Sequence, residues 1–330
     1  MSDSLLTILE IMEGVLGESR NTLGADVNEI LLALIASDSL GGDTSKFINY
    51  EEAFQTINQR KTQLTAAQKS AELEIQSQRA IKMFEEIEDW RQENGFEGEI
   101  TKVWWTARPN VLVSAVPAAE LGNPSDILYE INGTEYLGIS AKSTKTKQKI
   151  GFKNHGVGWL VEELGLNIDK INKSVENFIV TNKLSQTAAT RKKFLRAPEN
   201  KDIRIAAEKH ADQIVNQLRD ILLERLKELP VAELRAHLYT HWLDASPTVY
   251  PYYVQSTGYG MPGKSYGAMI MDPINNEKYK SLMGEDVEIV PVGTNSIGIK
   301  SVNGTKIMKI RFKYADQKLA SSLKLSGDPW

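Results

Sequence analysis

The chain contains no cysteine. That excludes disulfides and thiolate metal sites and fits a reducing compartment. Positive charge is not in excess either: 39 Lys and Arg stand against 43 Asp and Glu, for a formal net charge of −4. A uniformly basic coat for nucleic acid is thereby excluded, while a local basic groove is not, because the field at a site depends on where the charges lie. No apolar run reaches the roughly 18–20 residues needed to span a bilayer. The opening stretch MSDSLLTILEIMEGVLGESR carries acidic residues within its apolar part and no cationic lead, so it does not read as a signal peptide. Internal repeats and low-complexity tracts are absent. What remains is a chain of 330 residues, 41% hydrophobic and 25% charged, the composition of a globular protein with a substantial core in one large or two ordinary domains.

Periodicity predicts helices over 3–19 and 24–37. In the second, Val27, Ile30, Leu31, Leu34 and Ile35 form one stripe at helical spacing. Residues 50–94 are polar and rich in helix formers, the pattern of an exposed helical hairpin or arm. The character changes at Gly95. ITKVWWTA (100–107) is β-branched and aromatic and reads as a strand, and VLVSAV (111–116) as another. Trp104 and Trp105 are adjacent, so one should face the core and the other the opposite side. SDILYEI (125–131) and YLGISAKS (136–143) flank Asn132-Gly133, a strong hairpin signal. Helices are expected at 158–165, at 203–229 up to Pro230, and near 231–243. From Pro247 the chain turns to Tyr, Val, Ile, Gly and Pro, with strands at EIVPV, SIGIKSV and TKIMKIRFKYA and a short polar tail, LKLSGDPW.

GYGMPGKS (258–265) matches the G-x-x-x-x-G-K-[ST] pattern of a phosphate-binding loop, in which Lys264 and Ser265 would hold nucleotide phosphates and a metal. Such a loop needs a strand before it and a helix after it. SYGAMIMDP is poor helix and fair strand, so the expectation is a Gly/Pro turn within a β-rich segment.

NPSDILYEINGTEYLGISAKSTKTKQK is more informative. Side chains alternate faces along a strand, so Asp126, Leu128 and Glu130 share a face, as do Ser140 and Lys142 on the returning strand. A hairpin of this shape can gather Asp126, Ser140 and Lys142 at one edge. Phosphodiester cleavage uses that mix: a carboxylate to hold Mg²⁺, and an ammonium group to act on the attacking water and neutralise phosphoryl oxygens.

P-S-D126 followed by S140-A-K142 resembles the PD-(D/E)XK nuclease superfamily, and most closely its phage-type members in which S-x-K replaces (D/E)-x-K. G24-A-D-V-N-E29 before ILLALI is similar to the early-helix Glu of that group, and WWTARP (104–109) and FKNHGVG (152–158) add to the likeness. The resemblance covers about 20–37 and 100–165. It implies an α/β fold with a restriction-endonuclease-like mixed sheet flanked by helices. The expected organisation is a core at 1–165 with a helical arm inserted at about 40–95, a helical segment at 166–245, and a β-rich DNA-contacting region at 246–330. It further implies divalent-metal-dependent DNA cleavage with Mg²⁺ (or Mn²⁺). Glu29 and Asp126 would hold the metal, Lys142 would act on the water, and Ser140 stands at the second-acid position. The second acidic contact could come from Glu29, from a backbone carbonyl next to Ser140, or from Glu130. A bacterial host-cell cytoplasm follows from the phage likeness, and paired cuts in two strands would suit a homodimer. Two alternatives from other classes stand beside this reading: a non-catalytic DNA-binding or assembly protein on a degenerate nuclease core, and a nucleotide-binding protein using GYGMPGKS.

Further basic residues are placed to meet DNA. Lys145, Lys147 and Lys149 follow Lys142, and Lys309, Arg311 and Lys313 share a face of one expected strand. The bland reading of the first group is a charge-blunted strand edge. RKKFLR (191–196) could contact DNA or end a solvated helix. His237 and His241, four apart on an expected helix, have the spacing of a two-histidine metal site, with Asp244 as a third ligand. An ordinary helix pair is the alternative. His155 could reach the active centre from the loop after Lys142.

Overall fold

The computed structural model describes residues 24–39, 43–67, 69, 71–107, 109–119, 123–148, 151, 154–243, 249–284 and 286–330. The helix expected at 3–19, Lys149 and Asp244 lie outside them. The protein is a mixed α/β chain that folds into two units, Met1–Ile150 with Ala245–Asn276, and Gly151–Asp244 with Glu277–Trp330. No helix among the described residues is long and apolar enough to cross a membrane.

The first unit contains helix α1 (24–36), α2 (Tyr50–Ala66), α3 (Ala71–Glu93), β1 (Ile100–Trp105), α4 (Pro109–Ala115), β2 (Ile127–Ile131) and β3 (Glu135–Thr144). After the second unit's helices the chain returns to it as β5 (Tyr252–Tyr259) and β6 (Gly267–Met271). Its sheet runs β1-β2-β3-β5-β6. The pairs are antiparallel except β3 with β5, which is parallel. Hairpin β2–β3 turns at Asn132 and Gly133, both at positive φ (52° and 72°). This is the conformation for which Asn-Gly is suited, since it matches the twist of the flanking strands.

The helical hairpin α2–α3 is not an exposed arm. Ala53, Ile57 and Leu64 of α2 and Ala80, Met83 and Ile87 of α3 belong to the same core as Ile127, Tyr129, Leu137, Ile139 and Val254 of the sheet. The low mean hydropathy of this stretch hid a narrow apolar stripe that suffices to cover one sheet face. The α1 stripe is also wider than expected. Leu32 and Ala33 join Val27 and Ile30 in full burial, while Leu31, Leu34 and Ile35 are only partly covered.

Residues 111–116, expected as a strand, lie largely in α4. Pro109 stands at its first position, where a missing N–H costs nothing. Leu112 and Val116, four apart, close over Trp104 and Leu128 on the other sheet face. Packing outweighs the β-propensity of two valines here. Trp105 enters the main core while Trp104 joins this smaller cluster, as adjacent strand positions require.

The second unit contains β4 (Asn154–Gly156), α5 (Val157–Leu164), α6 (Asp169–Thr181), α7 (Ala188–Arg196), α8 (Lys201–Glu228), α9 (Val231–His237) and a π-helical turn (Leu238–Trp242). It then has α10 (Glu277–Gly284), β7 (Val287–Val292), β8 (Ser296–Ser301), β9 (Lys306–Tyr314) and β10 (Leu323–Pro329). Its antiparallel sheet runs β4-β10-β9-β8-β7. The region from 246 onward is therefore divided: β5 and β6 complete the first sheet, and β7–β10 build the second. A parallel strand can only be reached through a long crossover, and the intervening helices supply it. The polar tail is strand β10, held between β9 and β4, with Leu325 and Ser326 fully buried.

GYGMPGKS spans the end of β5 and a turn into antiparallel β6. The Lys264 N–H bonds the Met261 carbonyl at 2.9 Å. The helix N-terminus that would cradle a phosphate does not follow Lys264. Gly258 serves packing instead: a Cβ there would lie 2.8 Å from Arg79 Cβ and 2.9 Å from Met83 Sδ. Gly258→Ala should therefore cost about 1–3 kcal/mol by overpacking. Lys264→Ala, at an exposed turn, should stay within about 0.5 kcal/mol of the parent. Urea unfolding of the two variants checks this, and a reversed order would contradict the packing role.

Candidate active site

The N-P-S-D segment is positioned by its own asparagine. Asn123 Oδ1 accepts from the Ser125 N–H at 3.1 Å and from Ser125 Oγ at 2.5 Å, while Asn123 Nδ2 donates to the Pro251 carbonyl at 2.8 Å. Thr106 Oγ1 donates to the Ser125 carbonyl at 2.7 Å. The Asp126 backbone then extends the ladder, its N–H to the Ile139 carbonyl and its carbonyl to the Thr106 N–H, both at 2.9 Å.

This places the Asp126 carboxylate against β3. Its Oδ2 accepts from the Ala141 backbone N–H at 2.8 Å and from Lys142 Nζ at 3.0 Å, with Ser140 Oγ at a longer 3.4 Å. The hairpin thus gathers Asp126, Ser140 and Lys142 as the alternation predicts. A lysine–carboxylate pair with a backbone N–H on the same oxygen is charge-assisted and directional.

Glu29 projects from α1 and is 7% exposed. Its Oε2 accepts from the Trp105 indole N–H at 3.0 Å. Trp105 is fixed in turn by Asn49, whose amide donates to the Trp105 carbonyl at 2.8 Å and accepts from its N–H at 3.0 Å. Burial, and next the charge of Asp126, push the Glu29 carboxyl up to about 8, against the Trp105 hydrogen bond and Lys142, which pull it down. Glu29, Asp126 and Lys142 therefore share one electrostatic neighbourhood. Glu130 does not: Thr101 Oγ1 at 2.9 Å, Lys102 Nζ at 3.0 Å and Tyr136 OH at 3.2 Å occupy its carboxylate. Of the alternatives for the second acid, Glu130 drops out.

The donor set fits a hard divalent cation. It consists of oxygens, and its two carboxylates repel one another in a partly dry setting that favours neutralisation. Glu29 and Asp126 are the residues that would hold Mg²⁺ or Mn²⁺.

Several surrounding residues escaped the sequence reading. Gln255, 3% exposed, sits beside Ser140 in the parallel register of β5. Gln76 of α3 accepts from Ser143 Oγ at 2.7 Å through its Oε1 and from the Asn28 amide at 3.3 Å through its carbonyl. Arg79 donates to Ser143 Oγ at 2.8 Å and to the Gly260 carbonyl at 2.6 Å. A polar residue recurring at helical spacing inside an apolar stripe, as Gln76, Arg79, Ala80 and Met83 do, is the only sequence signal that could have flagged them.

The basic residues separate. Strand β3 ends at Thr144, so Lys145 and Lys147 leave it in an exposed loop rather than on alternate strand positions. Lys147 stands over the Tyr259 ring at 5.9 Å. Lys309, Arg311 and Lys313 do share a face of β9, in the second unit. Arg311 pairs with Asp328 at 2.7 Å, Asp328 lies opposite Lys309 in register, and Lys313 is lowered chiefly by burial. Around RKKFLR, Lys192 and Arg196 both pair with Asp316, and Arg191 bonds the Leu319 carbonyl. His155 lies in the second unit, stacked on Trp159.

A scan against protein-family models finds no match, and a search of curated proteins finds no relative.

The raised Glu29 has a consequence for the metal-free protein. Folded Glu29 holds its proton to about pH 8, whereas an unfolded Glu releases it near its ordinary 4.5. Between those values the native state binds more protons, so this group's contribution to stability falls as pH rises. Glu29→Gln should remove that slope. Urea unfolding in chelator across this window should show the parent losing stability relative to the variant toward pH 8; parallel curves would contradict it.

Proposed function

We propose that the chain is a divalent-metal-dependent DNA endonuclease with a restriction-endonuclease-like core. The observation that carries this reading is the Asp126–Lys142 pair at 3.0 Å, with the buried Glu29 of α1 near enough to feel both charges. The order of those elements supports it: a helix bearing Glu29, an antiparallel β1-β2-β3 meander bearing Asp126 and Lys142, then a strand parallel to β3. Lysine loops next to β3 and a compensated basic strand β9 are candidate contacts to the phosphate backbone.

A Mg²⁺ or Mn²⁺ ion held by Glu29 and Asp126 would neutralise phosphate charge and make water a better nucleophile. The protein's own groups have distinct tasks. The Ala141 N–H and the Asn123 loop hold Asp126 in one orientation, and the Trp105 indole does the same for Glu29. Lys142 Nζ, 3.0 Å from Asp126 Oδ2, brings a positive charge to developing negative charge on the phosphoryl oxygens and can orient the attacking water. Ser140 supplies a neutral hydroxyl where related enzymes have an acid, which leaves Glu29 as the second carboxylate. DNA as substrate, a bacterial host cytoplasm and a homodimer that cuts both strands belong to the same proposal.

Incubating the protein with supercoiled, linear and branched DNA plus Mg²⁺ or Mn²⁺ tests it. The parent should cleave at least one of these. Asp126→Ala and Lys142→Ala should reduce the rate by on the order of 10²–10⁴ while retaining DNA in a mobility shift. DNA retention without cleavage under either metal would instead favour a binding protein on an inactive core, a role that Ser140 in place of an acid would suit.

A further inference from the structure

The second unit contains a cluster that the nuclease reading does not use. His237 ends α9 and His241 lies in the π-helical turn that follows, closed by the Leu243 N–H on the Leu238 carbonyl at 3.1 Å. Glu163 comes from α5. Each of these three residues offers one ligand atom, and the three atoms lie within 4.8 Å of one another. His241 Nε2 and Glu163 Oε1 are 3.2 Å apart.

An independent observation points to a ligand. His237 is 7% exposed, and its Nε2 is buried with no hydrogen-bond partner among the described residues. A buried polar nitrogen without a partner is uncommon and calls for an explanation such as an ion.

Aromatic packing holds the rings. Trp159 stacks on His237 at 5.7 Å and on His155 at 3.9 Å, and Trp242 closes edge-on to Trp159 at 5.5 Å. His155 Nε2 contacts the His241 carbonyl at 2.6 Å, bracing the turn. A π-turn is a rare distortion that recurs at functional sites. Here it carries His241 one step along the ladder, with the two imidazole centroids 5.0 Å apart.

We propose that His237, His241 and Glu163 form a second metal site, one for a borderline transition ion such as Zn²⁺. Two imidazoles and one carboxylate are the ligand set that Zn²⁺ takes, in contrast to the all-oxygen set around Asp126. Three protein ligands leave a fourth position open to water or to a group from a bound molecule. The sequence offered the histidine pair with Asp244, which lies outside the described residues; among the described residues Glu163, 78 positions before His241, offers the third ligand atom.

The test uses the full chain carrying Glu29→Gln and Asp126→Asn, so that the carboxylate site does not compete, stripped with chelator and titrated with Zn²⁺ and Co²⁺. We expect one equivalent of Zn²⁺ bound, a rise in Tm, and visible Co²⁺ absorption of a low-coordinate nitrogen-and-oxygen site. Adding His237→Ala should weaken uptake by at least about a hundredfold. Because His237 is buried and its loss could unfold the unit, Glu163→Gln on the partly exposed side is the second variant, monitored by circular dichroism. It should keep the fold and weaken Zn²⁺ by at least about tenfold. Absence of stoichiometric uptake, or uptake unchanged in Glu163→Gln, overturns the proposal.

Discussion

Placing a buried glutamate beside an aspartate is unfavourable, and the first unit is arranged around that pairing. In a poorly solvated setting the two carboxylates cannot both carry charge without compensation. The Trp105 indole, the Ala141 N–H and the Lys142 ammonium supply part of it. The rest is met by a proton on Glu29, a role that the metal ion of the proposed function would take over. The geometry needed to bring these groups together also accounts for otherwise odd local features. Asn49 is committed to the backbone of a single tryptophan, Asn123 to its own serine loop, and the strand opposite Asp126 presents the Ala141 backbone N–H together with the Lys142 side chain.

The scaffold that holds this arrangement is spread widely along the chain. Strand β3 carries Ser140 and Lys142 and is paired on one side by β2 and on the other by β5, more than a hundred residues later. Helix α3 covers the core face of that sheet, the one opposite Ser140 and Lys142, where Gln76 and Arg79 fasten Ser143 and Arg79 bonds the Gly260 carbonyl. Gly258 permits the helix to come this close. The loop that mimics a phosphate-binding motif is therefore part of the support for the carboxylate–lysine site. Its glycines answer to packing and turn geometry, which is why the motif appears without the helix that would give it nucleotide chemistry.

In the second unit, several basic residues are neutralised internally. Asp328 meets Arg311, and Asp316 meets Lys192 and Arg196, so basic clusters that look free in the linear sequence carry acidic partners. Such pairing at partly exposed positions contributes little to stability, but it changes what an approaching polyanion would meet. The histidine–tryptophan cluster is different in kind: it is aromatic and holds a buried His237 nitrogen with no hydrogen-bond partner among the described residues.

Asp126, Ser140, Lys142 and the Asn132-Gly133 turn were readable from local sequence, because strand alternation and turn chemistry act over a few residues and hardly depend on the rest of the chain. Glu29 was readable only through likeness to a family, since nothing near it in sequence shows what it faces. The helical hairpin, the 111–116 segment and the polar tail were misjudged for one shared reason: propensity and mean polarity describe a segment in isolation, whereas burial against a partner decides its state. Linear order thus established the hairpin and its acid–lysine edge. Folding alone supplied Trp105 to Glu29, Gln255 beside Ser140 and Glu163 beside the two histidines, because contacts between residues tens to more than a hundred positions apart depend on which surfaces pack together, and no local pattern encodes that.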